Sequence, residues 1–539
     1  MGGRSAGKIS LTDKFEKDVK EVFFMKCKTD VVVMGSGLSG ICAADAVLAQ
    51  GRKVMVFEKK PYQGGAVGNC PIAYVSIPNE KSYQDAVFKL IYDYTNYNAD
   101  PAVIRQYVRN SWRTKEYLER MNIQKVCVQS VPVEEVGDPK YADGFPPAVM
   151  AYGEFFMAQG RGKGHAGALL CLRGMKDIEK RGGVYMLNTP ITDVIQDETG
   201  KVIGAVGVNN ETGETVEVEC EAVIICSGGI MEDRELMKET TGFTFTDYNC
   251  SDGGNVLFNC FPNSGQTGDG QKLAWKLGGE QTAIAVTGHN LVPGPGIVAS
   301  SPWIVYNETR TLQEQPYLWV NRNGGRFVDE SVSNNHMAIS TAIKNQPGRV
   351  SYFVMDEDTR LKLENEGLDY MYFMFPIEKF HDIPGQFRHL RDDIGNKHIF
   401  MEDTIEELCA AAGIDESGMK ETLERYNRFC DQGEDEDFAK DAKYLYPVRK
   451  GPFYAMRVFC AGYNTIGGIK VNGKMQVVKT DGKPVPGLFA AGDAVQTALY
   501  GNPPTGASAG AYFAMPLGFA AGDSVCEYID KQSASQEEK

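Results

Sequence analysis

The chain has 539 residues, too many for one ordinary core of roughly 100 to 200 residues, so two domains or one domain with a large insertion are expected. Its 56 basic and 71 acidic residues leave a net charge of -15, which argues against nucleic acid or an anionic membrane surface as a partner. The 13 cysteines are scattered singly without a C-x-x-C, and the 6 histidines never take the paired spacing of a metal-binding helix, so no zinc site, c-type haem or disulfide framework is indicated.

Free thiols fit a reducing cytoplasm. The opening "MGGRSAGKISLTDKF" has no apolar signal core and no Ser or Thr at position 6, and no apolar run approaches the roughly 18 residues of a membrane span. A cytoplasmic protein without a membrane span is the expectation.

In chain order, residues 12–24 place Phe15, Val19, Val22 and Phe23 on one helical face, so 1–27 reads as an N-terminal helical extension. The stretch "KTDVVVMGSGLSGICAADAVLAQGRKVMVFEKK" then reads as strand, glycine-rich turn, helix and strand, a βαβ unit. A helix over "GALLCLRGMKDIEKRGG", short strands around a "DETGK" turn, and the strand "EAVIICSGG" complete a first region, 28–285. Between 286 and 445 the texture becomes richer in aromatic and charged residues, with helical pieces such as "EDTIEELCAAAG" and "SGMKETLERYNRFCDQ", as expected of an inserted domain. The β-like texture returns over 446–530, with a turn "TDGKPVPG", a buried strand "LFAAGD" and an apolar helix from about Ala507 to Ile529; the tail 531–539 reads as disordered.

"GSGLSG" lies between a predicted strand and helix, and Glu58 ends the next strand. Gly35 and Gly37 permit a tight turn and close approach of a pyrophosphate to the helix N-terminus, Gly40 permits helix–sheet contact, and Glu58 can accept from a ribose hydroxyl. Ser36, Leu38 and Ser39 fill the loop.

With "EKKPYQGG", "VIICSGG", "TGDG", "NRNGGRFVDE", "TIGG" and "GLFAAGD" following in order, the chain resembles the fumarate reductase and succinate dehydrogenase flavoprotein superfamily, which also contains 3-ketosteroid dehydrogenases and urocanate reductases. The resemblance implies an α/β fold: a Rossmann-like FAD-binding domain in two chain segments with an inserted α+β capping domain, and substrate held between cap and flavin. It carries the cofactor contacts onto Lys59, Gly64, Gly65, Ala66, Gly228, Gly229, Asp269, Gly492 and Asp493, with Ala507 and Ser508 bringing backbone N–H groups to the flavin ring. No His follows in "YQGGAVGNC", where covalently flavinylated members carry one, so the FAD is expected to be noncovalent. Cys70 in that segment reads as structural.

The reaction implied is hydride transfer between flavin and a carbon β to an electron-withdrawing group, with proton transfer at the adjacent carbon. Dicarboxylate-reducing members place a proton-donating Arg four residues after the Glu of G-x-R-F-x-x-E; here that Glu is Glu330 and the position is Asn334. They also clamp a carboxylate with an Arg near the C-terminus, and no Arg occurs here after Arg457. A buried dicarboxylate without such partners would lose several kcal/mol. Where relatives read "HHTMGG", this chain reads "AGYNTIGG".

The remaining candidates are neutral or histidine: Tyr500, Tyr463, His289 and His336 for catalysis, and Asn334, Asn464, Asn502, Thr505 and Gly506 for substrate. Tyr500, in "YGNPPTG", resembles the Tyr that ketosteroid dehydrogenases place to polarise a 3-keto oxygen. The expected activity is an FAD-dependent enone reductase for a bulky neutral substrate such as a 3-ketosteroid. The alternatives are reduction of a small unsaturated carboxylic acid, met by His289 and Arg310, and a flavin electron-transfer subunit without its own substrate. No electron donor is encoded, so a separate protein or reduced cofactor is expected to supply electrons.

Overall fold

The computed structural model describes residues 24–65, 72–95, 97, 99–138, 154–158, 166–246, 256–259, 264–292, 308–309, 311–370, 377–495 and 509–537. Short apolar runs become the centre of a six-stranded sheet, in the order Gln476–Val478, Pro484–Ala490, Ala222–Ile225, Val31–Met34, Val54–Phe57 and Val184–Met186. All neighbours are parallel except the first pair. Val31–Met34, Val54–Phe57 and Ala222–Ile225 are buried at every position, as parallel strands covered on both faces must be. This is the predicted βαβ unit, joined by a strand from far along the chain.

Helix Leu38–Ala49 covers this sheet and packs along the C-terminal helix Ala509–Glu537. Glycines set the approach: a Cβ on Gly518 would lie 2.3 Å from the Ser39 carbonyl oxygen, and one on Gly522 would lie 2.6 Å from that of Ala43. Phe513, Met515, Leu517, Phe519 and Ala521 are buried, Phe513 against Tyr107 and Phe519 against Tyr117. Much of the uncharged run 494–522 is therefore neutral because it packs inside the nucleotide-binding domain, where an unpaired charge is costly. Charge resumes at Asp523, which accepts from Arg113 (2.6 Å) and Gln50 (3.0 Å).

A second sheet runs Thr244–Thr246, Val256–Asn259, Phe453–Ile469, Val350–Met355, Leu318–Asn321, and Gln281–Leu291 and Ile399–Glu402 also pair with its long strand Phe453–Ile469. One face buries Trp319, Phe353, Tyr454, Met456 and Val458; the other buries Leu318, Tyr352 and Ala455 against helices Ile405–Ala412 and Glu416–Gln432, the latter contributing Tyr426. The sheet thus draws strands from both sides of the expected 286–445 insertion. A four-stranded sheet and an antiparallel three-stranded sheet flank the nucleotide domain.

Three local expectations are corrected. Phe24–Lys28 is a strand parallel to Thr215–Glu219, so the helical extension does not reach 27; the pairing sets Lys26 and Lys28 against Glu217 and Glu219, which a helix would not. The strand Pro484–Ala490 starts inside the predicted "TDGKPVPG" turn. The tail is helical to Glu537, because Lys, Gln, Ala and Glu favour continuing the helix and Ser533 Oγ bonds back to the Ile529 carbonyl (3.1 Å). Among the described residues no helix is long and apolar enough to cross a membrane.

Candidate active site

The glycine loop takes the geometry its sequence demands. Gly35 has φ 101°, and a Cβ there would meet the Cys226 carbonyl oxygen at 2.5 Å; a Cβ on Gly40 would stand 2.0 Å from the Gly35 carbonyl oxygen. A Cβ on Gly37, by contrast, would meet nothing within 4 Å. Gly37 begins helix Leu38–Ala49 with no side-chain cap, so the first-turn N–H groups face an open approach without a competing acceptor. That combination suits a pyrophosphate.

Glu58 is buried at the end of the next strand. Its Oε2 accepts from the Ser36 N–H (3.0 Å) and Oγ (2.8 Å), and its Oε1 from the Lys60 N–H (3.0 Å). Ser36 Oγ in turn accepts from the Gly64 N–H (3.2 Å), which ties "EKKPYQGG" to the loop, with Gly64 and Gly65 at φ 111° and 49°. Lys59 Nζ bonds Thr267 Oγ1 and Asp269 Oδ2 (2.8 Å), and Thr267 Oγ1 donates to Asp269 Oδ1 (2.9 Å). Both Asp269 oxygens are thus engaged in joining two of the predicted cofactor segments.

On the other flank, a Cβ at Gly228 would meet nothing, while one at Gly229 would stand 2.3 Å from Thr465 Oγ1, which accepts from the Ile230 N–H (2.7 Å). Gln271 Nε2 donates to the Gly228 carbonyl (2.9 Å), and Trp275 Nε1 to that of Gly468 (2.7 Å). These bonds dock the "NTIGG" end of the long second-sheet strand onto the nucleotide domain. Thr465 and Gln271 were missed as site-building residues; the available signal was that Thr465 opens "TIGG" and Gln271 directly follows "TGDG".

The turn Gly492–Ala494 follows strand Pro484–Ala490 and presses on the loop, a Cβ at Gly492 falling 2.5 Å from Ser39 Oγ. Asp493 Oδ2 accepts from Asn464 Nδ2 (2.8 Å); Oδ1 is closed to water and has no partner among the described residues. Burial pushes this carboxyl up to about 6, against the Asn464 hydrogen bond, which lowers it. An orphaned acceptor here, beside the glycine loop, fits a hydroxyl of FAD.

For the cap, antiparallel pairing of Gln281–Leu291 with Phe453–Ile469 sets His289 opposite Ala461 and Gly288 opposite Gly462, next to Tyr463 and Asn464. Helix His336–Lys344 packs on both strands, with Ser340 Oγ 3.0 Å from Cys460 Sγ. The backbone therefore brings His289 near Tyr463 and Asn464 on paired strands, though the side chains of His289, His336 and Tyr463 lie outside those described. Asn335 caps that helix, its Oδ1 accepting from the Ala338 N–H (3.2 Å). Its neighbour Asn334 is half-buried and makes no side-chain hydrogen bond among the described residues. Tyr500, Asn502, Thr505, Gly506, Ala507, Ser508, Ala66, Cys70 and Arg310 lie outside the described residues.

The "GGRFVDE" segment turns out to be structural. Arg326 is bidentate to Glu330 (2.9 and 2.8 Å) and to Asp435 (3.0 and 2.9 Å), and Lys440 Nζ lies 3.2 Å from Glu330, all four side chains being buried. Lys440 and Arg326 hold the Glu330 carboxyl below its ordinary range despite the opposing effect of burial.

A parallel nucleotide sheet with this glycine loop, an acid closing its second strand and a late strand returning an Asp to the loop defines an FAD-dependent oxidoreductase. The chain belongs to the FAD binding domain family, which it matches over residues 30–509. It is similar to a vinyl phenol reductase from Lactiplantibacillus plantarum, 26% identical over 86% of this chain and 89% of the relative. A urocanate reductase from Eggerthella lenta is 26% identical over 86% of this chain and 69% of the relative. Among solved structures, 3-ketosteroid delta1-dehydrogenase from Sterolibacterium denitrificans superposes with a TM-score of 0.68 at 18% identity, over 93% of this chain and 99% of that one. An open-conformation flavocytochrome c3 fumarate reductase gives 0.64 at 19% identity, over 93% and 78%. The chain binds FAD and is an oxidoreductase of the CH–CH-acting class.

Proposed function

We propose that this enzyme reduces a carbon–carbon double bond conjugated to an uncharged activating group on a bulky, ring-bearing substrate, with an enone such as a 3-ketosteroid as the leading class. The observation that carries the reading is the lack of any Arg after Arg457. A carboxylate buried there would lack the planar, bidentate partner that offsets its desolvation. A relative named for a vinyl phenol, which has no carboxylate, supports the same reading.

Bound FAD, held noncovalently in this reading, supplies the hydride. The chain's own task is to withdraw electron density from the alkene and deliver a proton. Asn334 cannot deliver one, since an amide does not ionise usefully at neutral pH. Tyr500 is the residue we assign to the carbonyl oxygen: a phenol with a pKa of about 10 donates to a developing enolate and stays protonated at neutral pH. His289, His336 and Tyr463 are the candidates for the proton; the pairing of the strands bearing His289 and Tyr463 supports the reading.

The test is to reduce the flavin anaerobically and follow its reoxidation by androstenedione-type enones, 4-vinylphenol, urocanate, cinnamate and fumarate. Faster reoxidation by the neutral compounds is expected; faster reoxidation by any carboxylate overturns the proposal and points to His289 and Arg310. If no compound reoxidises the flavin, the electron-transfer reading replaces it. With an active substrate in hand, Tyr500→Phe is expected to lower turnover by roughly 100-fold at unchanged FAD content.

A further inference from the structure

Asn464 and Asp493 come from different parts of the fold. Asn464 lies near the end of the long strand Phe453–Ile469, and Asp493 in the turn after Pro484–Ala490. Their 2.8 Å hydrogen bond is one of a small set that locks this strand to the nucleotide domain, with the Thr465–Ile230, Gln271–Gly228 and Trp275–Gly468 bonds on its other side. The strand end is thus held in place independently of Asn464.

The chemistry of Asp493 restricts what its free oxygen can meet. An ionised carboxylate only accepts hydrogen bonds, so Oδ1 cannot face a pyrophosphate, which is an acceptor itself. Within FAD the donors are the sugar and ribityl hydroxyls, the adenine amino group and the flavin N–H. Glu58 occupies the end of the second strand, where the adenosine ribose is expected. Asp493 directly follows Gly492, which presses on Ser39 at the start of the helix after the glycine loop, and of these donors the ribityl hydroxyls are the ones assigned to its Oδ1.

We propose that Asn464 is a positioning residue for the flavin: its amide fixes Asp493 so that Oδ1 is presented to a ribityl hydroxyl, tying the cap-side strand to the isoalloxazine half of the cofactor and not to its adenosine half. The residue would then act on substrate chemistry only through the flavin. Removing the amide leaves a carboxylate free to rotate and lacking one partner, which costs affinity for any ligand that uses its other oxygen.

The test uses full-length apoprotein, stripped of FAD, of the wild type, Asn464→Leu, Asp493→Asn and the double variant. FAD is titrated by quenching of its fluorescence and ADP, which lacks the ribityl chain, by calorimetry. Asn464→Leu is expected to weaken FAD by roughly 10- to 100-fold while ADP affinity stays within about twofold, and the double variant should bind FAD no more weakly than Asp493→Asn alone. Unchanged FAD affinity, equal loss for FAD and ADP, or additive losses in the double variant each overturn the proposal. Should the leucine variant not fold, Asn464→Ser, which deletes the amide at smaller volume, is read by the same criteria; Asn464→His, a donor of similar reach, should restore part of the loss.

Discussion

Replacing Asp493 by Asn should move stability and cofactor binding in opposite directions. In the cofactor-free protein its carboxyl stands at about 6, against an ordinary 3.8, because burial outweighs the bond from Asn464. The folded chain therefore holds the Asp493 proton more tightly than the unfolded chain does. The stabilisation linked to that proton is fully present below about pH 3.8 and is lost as pH rises through 6. Roughly two pH units at about 1.4 kcal/mol each make the penalty of the charged form about 3 kcal/mol near pH 8. An amide carries no charge to desolvate and can still accept from Asn464, so FAD-free Asp493→Asn should be more stable by about 3 kcal/mol at pH 8 and equal to within about 0.5 kcal/mol at pH 4. Urea unfolding followed by tryptophan fluorescence at the two pH values measures both numbers. FAD affinity at pH 8 should fall, because the carboxylate is the stronger acceptor. A stability difference of the same size at both pH values would refute the reasoning, since it would show that desolvated charge is not the cause.

Gly40→Ala places a methyl 2.0 Å from the Gly35 carbonyl, a backbone atom that cannot swing aside, so FAD content judged by the ratio of flavin to protein absorbance should fall by roughly 100-fold at subsaturating cofactor. His398 sits buried in the cap against Phe459 and is pushed down to about 4 from 6.5, by burial first and then by Arg457 and Lys397. That depressed value contributes stability above pH 6.5 that is lost as pH falls through 4, so His398→Phe should remove about 3 kcal/mol of the acid-induced loss in urea unfolding between pH 7 and 4. An unaltered pH slope in the variant would exclude His398 as its source. Arg326→Met strands the buried carboxylates of Glu330 and Asp435 and should cost about 3 to 5 kcal/mol in the same assay, whereas Arg326→Lys should recover only part of it, because an ammonium cannot serve both carboxylates bidentately.

The nucleotide half of the fold was legible because its rules are local. Three fully apolar strands, a glycine pattern and an acid at a strand end are local signals, and the structure shows buried strands, tight backbone contacts at Gly35 and Gly40, and Glu58 bonded to the Ser36 N–H. The cap was less legible because its sheet is assembled across long separations: Phe453–Ile469 pairs with strands beginning at Val256, Gln281, Val350 and Ile399. No periodicity within that strand states which neighbours it takes. For the same reason Asn464 was expected on the substrate side, whereas its Nδ2 meets a carboxylate in the turn after a strand of the other sheet.

The uncharged run 494–522 shows how one compositional feature can have two causes. From Phe513 to Gly522 the chain is buried, with Phe513 against Tyr107 and Phe519 against Tyr117, and the close approach to helix Leu38–Ala49 at Gly518 and Gly522 leaves no room for longer side chains. Neutrality there follows from packing and says nothing about substrate. The functional inference narrows to residues 496–508, which contain Tyr500 and follow directly on the turn carrying Asp493. That turn packs on the long cap-side strand, which bears Tyr463, and on the C-terminal helix. A change at Tyr500 that lowers turnover without releasing FAD therefore separates a substrate role from a merely architectural one, because an architectural defect at this point would disturb Asp493 and be read in the cofactor first.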